Sequence, residues 1–139
     1  MIDGFVCLLG NDLPRLSFTA GSAIAAGDLV AISTDDKVDT VAENGTAALG
    51  WALTAAADTE TVQVVLALPG VYKWMKLTST AYSAPMLGRF YAMGAANTLD
   101  LGDTSNDLFV PAKYDAENAR MLVGVTPKAL QLSGTLEAA

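Results

Sequence analysis

Gly27-Asp28-Leu29-Val30-Ala31-Ile32, Leu49-Gly50-Trp51-Ala52-Leu53-Thr54 and Val62-Gln63-Val64-Val65-Leu66-Ala67-Leu68 follow one another in the first half of the chain, and their reading decides the fold. The third run places Val62, Val64, Leu66 and Leu68 on one face and Gln63, Val65 and Ala67 on the other, the period of two that marks a strand. Leu49, Trp51 and Leu53 alternate in the same way, which favours strand over helix for 47–57 despite its alanines. Asn44-Gly45 suits the left-handed backbone angles of a turn between strands, and residues 55–60 close the next hairpin. Pro69-Gly70 ends the run, and 71–77 reads as a further strand carrying Tyr72 and Trp74.

The second half echoes the first. Gly88-Arg89-Phe90-Tyr91-Ala92-Met93 leads through a polar stretch to Leu122-Val123-Gly124-Val125-Thr126, then to Leu130-Gln131-Leu132-Ser133-Gly134-Thr135-Leu136. Each copy offers a Gly-led strand, a polar excursion, an apolar strand with a central Gly, and an alternating strand. The expected organisation is an extended N-terminal arm over 1–26 followed by one β domain over 27–139, built from degenerate repeats at 27–77 and 88–137. Residues 102–107 are turn-rich, and 115–120 reads as a single helical turn. Five prolines and twelve glycines punctuate the strands at spacings that suit an all-β fold, a small barrel or sandwich.

Working outward, the 139 residues fit a single domain with a real core. Hydrophobic residues make up 52% of the chain and charged ones only 17%, so much apolar surface must be covered, most economically by other subunits. The net charge of -7 with scattered basic residues argues against a nucleic-acid partner. No apolar run is long enough to span a bilayer and no basic signal region opens the chain, so it is expected to be soluble, unprocessed and without a membrane partner. In the arm, Leu16 to Thr19 is a candidate strand. Phe5, Val6, Leu8 and Leu9 would be exposed if the arm were free. Two readings stay open: the arm packs on a neighbour, or it completes the domain's own sheet.

The residues offer little chemistry. Without histidine there is no Ser-His or Cys-His pair, and a lone cysteine leaves no zinc site of the usual ligands. Asp35, Asp36 and Asp39 beside Lys37 read as a solvated hairpin turn, with too few oxygen ligands at defined spacing for calcium. Asp103 and Asp107 lack the closing acid of a calcium loop, and no glycine-rich phosphate motif occurs. Cys7, in an apolar run, reads as a small buried hydrophobe. An enzyme is therefore not expected, nor any metal or cofactor. Tyr72 and Trp74 project to one face of their strand; with Trp51 they read as core or intersubunit packing rather than a carbohydrate or peptide platform.

The series Ala26-Gly27-Asp28-Leu29-Val30, Ala48-Leu49-Gly50-Trp51-Ala52-Leu53-Thr54-Ala55-Ala56, Val62-Gln63-Val64 and Leu68-Pro69-Gly70-Val71-Tyr72 resembles the head-decoration, or cement, proteins of tailed bacteriophages. The resemblance covers residues 26–77, with a weaker echo over 88–137. It implies a small β-barrel or β-tulip-like sandwich, commonly trimeric, made in the host cytoplasm. Such a protein sits on the outer capsid at three-fold or quasi-three-fold positions and bridges neighbouring major capsid subunits. It also implies an N-terminal arm docked on the capsid, which makes Phe5, Leu8, Leu9, Leu13 and Leu16 the expected contacts; this arm is longer and more apolar than the family pattern. Two other classes stand beside it: a head-fibre base, tail or baseplate component, and a small ligand-binding barrel using Tyr72, Trp74 and Tyr91.

Overall fold

The alternation over 62–68 is realised as strand β6 (Thr61–Leu66) in the computed structural model. The structure describes residues 5–7, 14–33, 37–43, 45–77, 91–94, 98–100, 108–115 and 117–131. With β2 (Arg15–Ala20), β3 (Leu29–Ile32), β4 (Lys37–Thr40) and β5 (Gly50–Ala52), β6 closes a barrel in the order β2-β4-β3-β5-β6. Neighbours are antiparallel except β2 and β4, which run parallel through Thr19↔Lys37 and Ala20↔Val38. A barrel of so few strands has a narrow bore. Ala20, Ile24, Val30, Val38, Leu49 and Ala52 help to fill it, together with Val62, Val64 and Leu66. These aliphatic side chains leave it packed.

A second layer lies against this barrel. β1 (Phe5–Cys7), β7 (Val71–Lys76), β10 (Phe109–Asp115) and β11 (Arg120–Val125) form a sheet in the order β1-β7-β11-β10. A short ribbon joins β8 (Ala92–Met93) to β9 (Leu99–Asp100). The larger core lies between barrel and sheet, where Leu29, Trp51, Val65 and Ala67 meet Phe5, Met75, Met121 and Val123. The strands β3, β5 and β6 therefore serve two cores, because successive side chains point to opposite faces. Leu29, Trp51 and Val65 face the sheet while Val30, Ala52, Val64 and Leu66 face the bore. The burial of β6 shows the transition: alternating at Thr61–Gln63, then continuous from Val64 to Leu66 where the sheet covers its outer side.

Turn chemistry sets the path between the layers. The Val71 amide donates to the Leu68 carbonyl at 2.9 Å, and Gly70 has φ 95°, so Pro69-Gly70 fills the centre of a type II turn that delivers β7. Pro111 sits in β10 at a bulge on the sheet's edge, where its missing N–H interrupts least.

The all-β expectation holds, and a closed barrel with a second sheet gives it form. Three local expectations change. The boundary at residue 26 is no structural boundary, since β2 is a stave of the barrel and β1 pairs with β7 through Phe5↔Lys73; the described parts of 1–26 complete the domain's own sheets. Residues 115–120 form no helical turn: they end β10, turn at Glu117–Ala119 and begin β11, because Asp115 accepts the Asn118 amide and tightens a hairpin. The strand expected from Leu130 does not start there. Leu130 makes one bridge to Ala48, and the Gln131 carboxamide brackets Ile32, accepting its N–H at 2.6 Å and donating to its C=O at 3.1 Å. Residues 132–139 and 102–107 lie outside the described residues, as does Asn44 of the expected turn. Among the described residues of the two echoing stretches, β5 pairs with β3 and β6 whereas β11 pairs with β7 and β10.

Gly50 is where the shared wall is tightest. A Cβ there would collide with the Val65 backbone, which has no free end to swing away. Gly50→Ala is expected to destabilise the fold by about 3 kcal/mol, seen as a lower urea midpoint with an unchanged m-value. A midpoint equal to that of the parent would contradict the close approach.

Candidate functional site

With the bore packed, the side chains able to meet another molecule lie on outer surfaces. The four-stranded sheet turns Val71, Met75, Met121 and Val123 inward, so the alternate positions form its outer face. Cross-strand register orders that face in rows: Lys76, Arg120 and Asp115; then Trp74, Leu122 and Lys113; then Tyr72, Gly124 and Val110. Tyr72 and Trp74 thus share one face, as their spacing predicts. They are half-buried at the surface, whereas Trp51 is fully buried between the layers.

Arg120 organises one end of the face. Its guanidinium lies 4.5 Å from the Trp74 ring centroid, and its Nε donates to Asp115 Oδ2 at 3.0 Å. Hydrogen bonds from Asn118 and Arg120 hold the Asp115 carboxyl below its ordinary range. An open concavity of about 400 Å³ follows, lined by Trp74, Lys113, Tyr114, Asp115, Glu117 and Arg120. A smaller hollow of about 140 Å³ lies where Tyr72 meets Leu68, Pro69, Val110 and Val125. Its floor is Gly124, where a Cβ would come within 3.3 Å of the Tyr72 ring. The face thus offers a stacked aromatic and cation beside apolar relief.

On the inner side of the same sheet, Lys73 reaches back toward the barrel, 5.9 Å from the Phe5 ring centroid. Burial pushes its ammonium below its ordinary range, and the Asp28 charge partly opposes that shift.

The expected contact residues separate. Phe5 is 5% exposed and meets Trp51 edge-on, with ring centroids 6.1 Å apart, so its place is the core and its assignment as an outward contact is corrected. Leu8, Leu9 and Leu13 lie outside the described residues. Leu16 is 50% exposed on the barrel wall beside exposed Arg15 and Ser17. Tyr91 is buried and bridges to Phe109, whereas Tyr72 and Trp74 are half-buried on the sheet's outer face. The sequence reading passed over Arg120; its signal was the i to i+5 spacing from Asp115 across a tight turn.

Asp39 stands on β4, accepting a 2.7 Å hydrogen bond from Ser22 Oγ. Asp35 and Asp36 lie outside the described residues, and among the described residues no group of three or more His, Cys, Asp and Glu could hold a metal ion. The Ser33 and Ser22 hydroxyls, with the Lys37 charge, hold Asp39 below the ordinary carboxylate range against the opposing effect of partial burial. A comparison with protein-family models finds no match, and no curated protein sequence is similar to the chain.

The sign of the Asp39 effect follows from its depressed value. Its stabilisation is complete above the unfolded-state value of about 4 and is lost as the pH falls through the folded-state value below it. Ser22→Ala is expected to move the Asp39 carboxyl up toward 3.8 and to cost about 1 kcal/mol at neutral pH. The carboxyl carbon's NMR titration checks this, and an unmoved midpoint would show that the Ser22 bond does not stabilise the ionised form.

Proposed function

We propose that this chain is a structural protein of a tailed-bacteriophage virion. It binds the outer capsid surface at three-fold or quasi-three-fold positions as a homotrimer, bridging and stabilising major capsid subunits. The observation that carries this reading is where the resemblance falls. Residues 26–77 comprise four of the five barrel staves, both glycine turns at Gly27 and Gly70, and the entry into β7. The resemblance therefore falls on most of the barrel and the turns that set it, though β2, which closes the barrel, lies before it.

The physics suits the role. A ligand that binds only an assembled shell raises the shell's stability by mass action, and three attachment points multiply weak contacts through effective concentration. A packed barrel presents its outside without needing a pocket. Among the described residues of the expected contact set, Leu16 on β2 is exposed and Phe5 is buried.

Quantitative mass spectrometry of purified particles of the source virus tests the reading. A ratio near one copy per major shell subunit is expected. A handful of copies per particle would replace it with a head-fibre base, tail or baseplate part, and absence from particles would overturn it. Leu16→Asp should weaken binding of the added protein to undecorated capsids by about tenfold while leaving its thermal unfolding unchanged; equal binding would remove Leu16 from the contact.

A further inference from the structure

Charge is divided between the two layers. Among the described residues, the barrel segments 14–66 carry Arg15 and Lys37 against Asp28, Asp39, Glu43, Asp58 and Glu60. The sheet and its connections, 71–77 and 108–131, reverse the balance, with Lys73, Lys76, Lys113, Arg120 and Lys128 against Asp115 and Glu117. A chain with net charge -7 thus bears a locally basic layer.

Each pole has a definite location. On the sheet's outer face Lys76 and Lys113 are exposed in adjacent rows, flanking the Trp74–Arg120 stack, while Asp115 is occupied by Arg120 and Asn118. At the barrel, the Ala20 amide donates to the Glu60 carbonyl, the Thr59 amide to the Ala20 carbonyl, and the Gly21 amide to the Val38 carbonyl. These bonds gather the turn bearing exposed Asp58 and Glu60 beside β4 and its Asp39. The acidic pole lies where β6 begins; the chain enters the basic sheet only after β6 ends.

We propose that the outer face of the β7–β11–β10 sheet docks on the acidic barrel end of a second copy of this chain, in a head-to-tail contact. A contact between two different patches leaves one of each free on every copy, so it closes into a ring when the rotation permits. Opposite charge sets the orientation and disfavours the symmetric alternatives of sheet on sheet or barrel end on barrel end. Trp, Tyr and Arg are the residue types that dominate binding energy at interfaces. Arg120, already held by Trp74 and Asp115, loses little freedom on docking. This deepens the proposed function, resting on it only for three as the number of copies in the ring. The test reads the free protein, so its failure is distinct from a failed copy-number measurement on particles.

Sedimentation equilibrium of the purified full chain is the experiment. The chain should associate in about 0.05 M salt and do so at least tenfold more weakly in about 0.5 M salt, where screening is short-ranged. Lys76→Glu with Lys113→Glu alters exposed side chains only, so circular dichroism should stay native while association falls by tenfold or more. Adding Asp58→Lys and Glu60→Lys to that variant swaps both poles and should restore association. A monomer at every salt concentration would overturn the proposal, as would an oligomer indifferent to Lys76→Glu with Lys113→Glu, or a swapped variant that stays as weak as the half-swapped one.

Discussion

Burial of one three-stranded wall on both faces is the constraint on which the rest of this structure depends. β3, β5 and β6 line the barrel's bore with Val30, Ala52 and Val64 and face the second sheet with Leu29, Trp51 and Val65. Trp51 stands at the centre. Its Nε1 is buried and has no hydrogen-bond partner among the described residues. Leaving such a group unsatisfied costs about 1–3 kcal/mol. Burying an indole of about 200 Å² or more, at about 25 cal/mol per Å², returns roughly 5 kcal/mol. Area therefore wins, and the wall tolerates the orphan N–H. Gly50 next to it keeps β5 close enough to β6 for that packing to exist.

The same wall decides where function can reside. Its inner face fills the bore and its outer face packs against the sheet. Among the described residues, the exposed features are Leu16 on β2, opposite Val64, and the outer face of the sheet with the stack of Arg120 on Trp74. Both are surfaces shaped for contact.

Much of this was legible in the chain, for reasons that differ by segment. The period of two over 62–68 assigned Val62 and Val64 to one core and Val65 and Ala67 to another side correctly, since alternation is a property of the strand itself. Pro69-Gly70 gave its turn because the requirement for positive φ is local. The partner choice of β11 was not legible: its Leu122-Val123-Gly124 matches Leu49-Gly50-Trp51 in character, but pairing depends on which edge is free, here that of β7. The hairpin at Asp115–Arg120 resembled helix by composition, and a side-chain bond from Asp115 to Asn118 overrode that preference. The site was less visible still. Phe5 looked like an exposed anchor only because the aromatic that receives it, Trp51, lies in another strand.

One bond pair joins the end of the described chain to its beginning. Gln131 and Ile32 are 99 positions apart, and the carboxamide of the first satisfies both backbone groups of the second, as a neighbouring strand would. The barrel's own staves are complete by Leu66, so this clasp closes only after the chain through Gln131 has been made. The Ile32 amide is thereby a local clock: its exchange with solvent hydrogen slows when the sheet layer has docked, whereas the interior amides of β6 are protected as soon as the barrel forms.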